Sequence, residues 1–274
     1  MPSGTINVIE NFYMPELNRY RTLRIYLPPN YNESNRNYPV IYMHDAQNLF
    51  NVETSSFGTI WDTATTLDKL YNENPDNAYI VVGIDNGSNY RYLEYCPWHS
   101  EIGGEYLPHA KATGMLGGEG FKYADFIVNT LKPFIDTNYR TLKDRDNTTI
   151  CGSSMGGLIS ICAGIKYQEV FSKIVAFSSA LYFAEDEIKN FIISEGKRET
   201  MRIYMDVGTN ETSNANNPDF PQIYLNCNNN IYQTLKSVGF THDELTYEIF
   251  EGDIHNESCW GKRFPGMMDW VFSL

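Results

Sequence analysis

Long apolar runs, paired cysteines and an excess of positive charge are all missing from this sequence. No stretch of about 18 consecutive apolar residues occurs, so no segment reads as a helix that spans a bilayer. Lys and Arg number 21 against 34 Asp and Glu, a formal net charge of −13. That balance argues against nucleic acid and anionic membranes as partners, since both demand a basic surface. The five cysteines, Cys96, Cys151, Cys162, Cys227 and Cys259, are odd in number, widely spaced and free of any C-x-x-C pair. They read as reduced, buried thiols, neither a disulfide framework nor a zinc site. No His/Asp cluster has metal-ligand spacing, so no metal and no cofactor is expected. Met1–Glu10 has no basic region followed by an apolar stretch. The expectation is a cytoplasmic protein, or a secreted one if a signal peptide has been removed.

What is present suits a globular chain: 274 residues, 42% hydrophobic and 14% aromatic. Without repeats or a long linker, residues 1–274 read as a single α/β domain. Arg21–Leu27 alternates like a half-exposed strand, and the N-terminal strands lie close enough in sequence to pair antiparallel at one edge. Val40–Met43 and Tyr79–Val82 are short apolar runs of the kind buried on both faces of a parallel sheet. Trp61–Leu70 supplies a crossover helix. Residues 86–119 are rich in Gly, Pro, Tyr and Trp and too long for an ordinary connection, which makes them the candidate active-site rim. Phe121–Asn138 predicts a helix with a kink or break at Pro133. Strands come next at Thr148–Cys151, Lys173–Ser178, Arg202–Val207 and Leu245–Phe250. They alternate with helices at Gly156–Tyr167, Glu185–Ser194, Gln222–Ser237 and Phe264–Leu274. The pattern predicts a mostly parallel sheet with helices on both faces.

Between one strand and its helix stands Gly152-Ser153-Ser154-Met155-Gly156-Gly157, which contains G-x-S-x-G. In that setting the motif is a nucleophile elbow: a sharp turn exposes the serine, and glycine two residues to either side avoids collisions. Ser154 would stand at a helix N-terminus, whose dipole favours developing negative charge. The plain alternative is a glycine-rich strand–helix turn that binds phosphate, or no ligand at all.

A serine hydroxyl needs a base, and imidazole has the right pKa. In an α/β-hydrolase the order is Ser, acid, His, which leaves His242 and His255. His242 precedes the last strand, at the wrong edge of the sheet; His255 comes after it and is the candidate. The acid should come after Arg202–Val207, where Gly208-Thr209-Asn210-Glu211 offers Glu211. Asp206, inside the strand, is the rival.

The elbow, together with Tyr42–Phe50, Val207–Glu211 and Gly252–Trp260, resembles the putative-esterase family of α/β-hydrolases. That family includes feruloyl and acetyl-xylan esterases, esterase D-like enzymes, siderophore trilactone esterases and mycolyl transferases. The likeness runs from about Leu23 to the C-terminus. It implies Ser154 as nucleophile, Glu211 as acid and His255 as base. It also implies an oxyanion hole from the Met155 amide and one amide after the Val40–Met43 strand, Ala46 or Gln47. Asp45 and Ala46 stand where the family commonly has glycine, and His44 is expected to anchor that loop. The rings of Tyr90–Trp98, with Tyr106, Trp61 and Trp260, suit a sugar or phenolic acyl group. Arg91, Glu94, Tyr95, Trp98 and Trp260 are the candidate substrate contacts, Arg91 and Glu94 forming an ion pair. The expected activity is a serine carboxylic-ester hydrolase working on feruloyl or acetyl esters of plant polysaccharide, so its partner is a small-molecule or oligosaccharide ester. A siderophore trilactone esterase, an acyltransferase and a catalytically dead binding protein are the alternatives.

Overall fold

The computed structural model describes residues 1–273; Leu274, the expected end of the closing helix, lies outside them. In chain order the strands and helices are β1 (Thr5–Met14), β2 (Arg19–Leu27), β3 (Val40–His44), α1 (Thr63–Glu73) and β4 (Ile80–Ile84). Residues 86–119 then carry three short helices, α2 (Arg91–Glu94), α3 (Glu101–Tyr106) and α4 (Pro108–Thr113). After them come α5 (Gly120–Phe126), α6 (Lys132–Asn138), β5 (Thr148–Ser153), α7 (Met155–Lys166), β6 (Lys173–Phe177) and α8 (Glu185–Glu195). The chain closes with β7 (Arg202–Asn210), α9 (Phe220–Ser237), β8 (Leu245–Ile254) and α10 (Glu257–Phe272).

The strands build one eight-stranded sheet in the order β1-β2-β4-β3-β5-β6-β7-β8. β1 and β2 run antiparallel at one edge and the others are parallel. This is the α/β-hydrolase fold, and its central strands show why. Every residue of β3 and β4 is buried, so both faces of the sheet are covered. Successive side chains feed two separate cores. Tyr42, Ile150, Ala176 and Met205 pack beneath α5–α9. Ile41, Met43, Cys151, Val175 and Tyr204 pack against Leu67 of α1 and Phe264, Met267 and Met268 of α10. Among the described residues no helix is long and apolar enough to cross a membrane.

Two helices depart from the sequence pattern, both at proline. In place of the one helix broken at Pro133 that the pattern predicts, a π turn over Ile127–Leu131 joins α5 to α6. A proline ring crowds the carbonyl four residues earlier, and the wider turn relieves that crowding. The closing helix begins at Glu257, seven residues before the expected Phe264, with Pro265 inside it. Its start is fixed by Asn256, whose side-chain oxygen accepts the Cys259 N–H at 2.9 Å. β1 has no counterpart in the sequence pattern, because only its last residue is buried and no alternation marks it.

Candidate active site

Parallel strands deliver the residues after them to one edge of the sheet, and the candidate residues collect there. Ser154 sits between β5 and α7 with φ 57° and ψ −124°, a conformation an L-residue holds only when its surroundings enforce it. Its N–H donates to the Phe177 carbonyl at 2.9 Å, and its own carbonyl accepts from Gly157, Leu158 and Ala180. A Cβ on Gly152 would stand 2.7 Å from the Gly156 backbone, a collision that cannot be relieved by rotating a side chain.

β7 runs through Asn210 with an irregularity after Gly208, and this delivers Glu211 beneath the loop after β8. A neutral His255 that donates Nδ1–H to Glu211 Oε2 (2.6 Å) keeps Nε2 as acceptor for the Ser154 hydroxyl (2.9 Å). Burial raises the Glu211 carboxyl, but hydrogen bonds from His255, Ser178 (2.5 Å) and the Gly208 N–H (2.9 Å) prevail and hold it below its ordinary range. Asp206 lies deeper in β7. Its Oδ1 accepts from Arg263 Nη1 at 2.9 Å and from the Ser178 N–H at 3.1 Å. Burial pushes its carboxyl up to about 7, with Arg263 pulling the other way. It does not touch His255. His242 is fully exposed beside Asp243, far from the serine in role and place.

Above these residues opens a cleft of about 750 Å³, walled by Trp61, Trp260, Tyr92 and Tyr182 and by a set of amides and hydroxyls from Asn48, Thr59, Asn86, Ser88 and Asn256. Met155 and Asp45 line it next to Ser154, while Ala46 is buried behind Asp45. Asp45 adopts φ 55°, the left-handed conformation that explains why glycine is common at such a position. The Gln47 side chain accepts the Asn86 N–H through Oε1 at 3.1 Å. His44 is buried, with Nδ1 3.0 Å from the Tyr123 hydroxyl; burial lowers its pKa to about 4, Asp45 raising it and Arg91 lowering it further.

Of the expected substrate contacts, Arg91 and Trp260 line the cleft and the other three do not. Glu94 is fully buried and binds Arg21 and Arg19, so the expected Arg91–Glu94 pair does not form. Arg91 instead clasps Asp45 through two bonds of 2.8 Å. Tyr95 is packed between His44 and Tyr123, and Trp98 against Phe121 and Phe191. Tyr92, inside α2, lines the cleft, whereas Tyr95 comes just past the end of that single turn, where the backbone leaves the helix and its ring packs into the core. Several residues in and beneath the cleft carried no sequence signal. Tyr224 of α9 lies 3.3 Å from His255 Nε2, and Glu257, its carboxyl raised by burial, bonds Asn48 at 2.9 Å. Ser178 could have been noticed, since it ends the strand beside the elbow.

A serine on a strained strand–helix turn at the carboxyl edge of this sheet, followed in chain order by the glutamate and then the histidine it faces, defines a serine hydrolase of the α/β class. The profile of the family described as "Putative esterase" matches residues 14–271, and the chain belongs to that family; it is an ester hydrolase. The uncharacterized protein YbbA of Bacillus subtilis is 27% identical over 255 residues, 92% of each chain. Among solved structures, a ferulic acid esterase superposes with TM-score 0.70 at 18% identity, covering 98% of both chains. The enterobactin esterase FES of Shigella flexneri, solved in the presence of enterobactin, gives TM-score 0.70 at 15% identity over 99% of this chain and 59% of that one.

Proposed function

We propose that Ser154 is the nucleophile, His255 the general base and Glu211 the orienting acid of a carboxylic-ester hydrolase acting on feruloyl or acetyl esters of plant polysaccharide. The observation that carries the chemistry is the continuous chain of hydrogen bonds from Ser154 Oγ through both ring nitrogens of His255 to Glu211. Ser154 Oγ attacks the ester carbon while its proton passes to His255 Nε2. The oxyanion forms against the Met155 amide and that of Ala46, whose peptide unit it shares with the cleft residue Asp45. Collapse expels the alcohol, which takes the proton from His255. Water then repeats the sequence and frees the acid and Ser154.

The cleft supports the substrate reading. Its rings offer faces for a sugar or phenolic ring, and its amides and hydroxyls can bond to sugar hydroxyls. A trianionic ferric siderophore finds less there. Among the described residues lining the cleft, Arg91 is the one permanent cation, and Asp45 already neutralises it. The five cysteines are all buried and free, which supports a reducing, cytoplasmic setting.

The test is a panel of nitrophenyl acetate, methyl ferulate, acetylated xylo-oligosaccharide and a catecholate trilactone, each with and without excess sugar acceptor. Ser154→Ala should lose essentially all turnover with an unchanged circular dichroism spectrum. Turnover within about tenfold of wild type would remove Ser154 from its role. A trilactone preferred by orders of magnitude would overturn the polysaccharide reading, and acylated acceptor as main product would make the enzyme a transferase.

A further inference from the structure

Behind the acid lies a buried polar group that the ester-hydrolysis steps do not use. Ser178 comes directly after β6 with φ 42°, an unfavourable conformation for a serine. It is held there by its N–H, which donates to the Asp206 carbonyl at 2.9 Å and to Asp206 Oδ1 at 3.1 Å. Its hydroxyl has one proton to give and two lone pairs to fill, and all three are engaged. It donates to Glu211 Oε1 at 2.5 Å and accepts from Trp260 Nε1 at 2.8 Å and from Arg263 Nη2 at 3.2 Å. With both acceptor sites filled by N–H groups, the Ser178 proton has one direction left, toward Glu211.

We propose that Ser178 is a positioning residue for the acid, and that Trp260 and Arg263 fix the direction of its hydroxyl so that Glu211 presents Oε2 to His255. This rests on the assignment of Glu211 as acid and His255 as base. The two carboxylate oxygens are divided between two tasks. Oε1 takes the structural bonds from Ser178 and the Gly208 N–H, and Oε2 is left for Nδ1 of His255. Trp260 thereby has two roles: its ring walls the cleft and stands edge-on to His255 at 5.0 Å, while its N–H reaches the acid's support. Arg263 is held in turn by Asp206, which accounts for a buried carboxylate so near the site that never meets the imidazole.

Loss of the Ser178 hydroxyl concentrates charge on the Glu211 carboxylate, and that charge then holds a protonated His255 more tightly. The acid limb of kcat/KM, which reports the base in the free enzyme, should therefore move to higher pH. The charged and titratable groups facing Glu211 are His255 after β8, Arg263 of α10 at 3.7 Å, Asp206 of β7 and Tyr224 of α9. Asp253 faces Arg263 on its other side at 3.4 Å.

The experiment uses Ser178→Gly, which removes the hydroxyl while suiting the positive φ, and Trp260→Phe, which keeps a ring in the wall but removes the N–H. Ester hydrolysis is measured from pH 5 to 9 beside Ser154→Ala, with melting temperature as the control for folding. Expected for Ser178→Gly is a fall in kcat of about tenfold or more, KM within about twofold, and the acid limb displaced upward. Trp260→Phe should shift the limb the same way by less. An unmoved limb overturns the proposal even if kcat falls, because a merely structural role would lower activity without it. Should Ser178→Gly fail to fold, Trp260→Phe decides alone. Residual turnover in Ser154→Ala would instead indict the nucleophile assignment, whatever Ser178 does.

Discussion

Glu211 and Asp206 are both fully buried, one just beyond the end of β7 and the other in its middle, yet their surroundings divide the work between them. The hydrogen bonds to Glu211 include one from His255, whereas Asp206 faces Arg263. Removing the charge from each should therefore break different things. Glu211→Gln is expected to lower kcat by up to about 10⁴-fold, the scale for an orienting carboxylate that fixes the imidazole tautomer. Asp206→Asn should leave kcat nearly intact and cost about 1–3 kcal/mol of stability, since the buried Arg263 loses its nearest carboxylate but keeps Asp253 at 3.4 Å and Glu211 at 3.7 Å. Steady-state kinetics and urea denaturation on the two variants check this, and the opposite ranking would give the acid's role to Asp206. Glu211 should also show in acid unfolding. Its folded pKa is depressed, so its contribution to stability is present above the unfolded value and disappears as pH falls through the folded one.

An elbow works because strand, turn and helix are built as one piece. The two motif glycines are not equivalent in that piece. A Cβ at Gly152 would meet backbone atoms of Gly156 at 2.7 Å, whereas a Cβ at Gly156 would come no nearer than 3.2 Å, to the His44 Cβ. Backbone at the start of α7 cannot retreat without moving Ser154, but a contact of 3.2 Å needs only a small adjustment. Gly152→Ala is thus expected to lose activity and about 1–3 kcal/mol, the usual range for overpacking, with Gly156→Ala milder in both. Chemical denaturation and nitrophenyl acetate hydrolysis measure the pair; equal effects would mean the turn is more compliant than its geometry indicates. The same reasoning by element covers 86–119. Tyr92 stands on the cleft and Tyr95, just past the end of α2, is buried, so Tyr95→Ala should lower the melting temperature and not the ratio of rates between esters.

For the molecule as a whole, pH enters through His44, buried between the two halves of the sheet at the end of β3. Its folded pKa near 4 lies below the ordinary 6.5, so the unfolded chain binds a proton that the folded one refuses. Stability is then lost as pH falls from about 6.5 toward 4, by up to roughly 3 kcal/mol in that window. Melting temperatures of wild type and His44→Gln between pH 4 and 7 check the sign: the variant should show a flatter decline. A net charge of −13 acts in the opposite sense over the same range, because protonation relieves self-repulsion. Comparison with the variant separates the two.

By itself the sequence determined the class and pointed to the residues of the candidate site. Continuous apolar runs marked β3 and β4 as strands covered on both faces, and G-x-S-x-G between a strand and a helix named Ser154. Chain order beyond the elbow picked out Glu211 and His255, because in a parallel sheet each loop after a strand opens on the same edge. Periodicity is a local signal, and it failed where local and distant demands differ. β1 has no buried face to show in its pattern, and the closing helix was expected from Phe264 although Asn256 had already begun it. Only the tertiary structure decided how the aromatic segment is used, since Tyr92 and Tyr95 look alike in the sequence and differ only in their surroundings, the cleft for one and His44 and Tyr123 for the other. It alone also brought Ser178, Trp260 and Arg263 behind Glu211: these residues come from two elements more than 80 positions apart, and no spacing in the chain records that they share one hydroxyl.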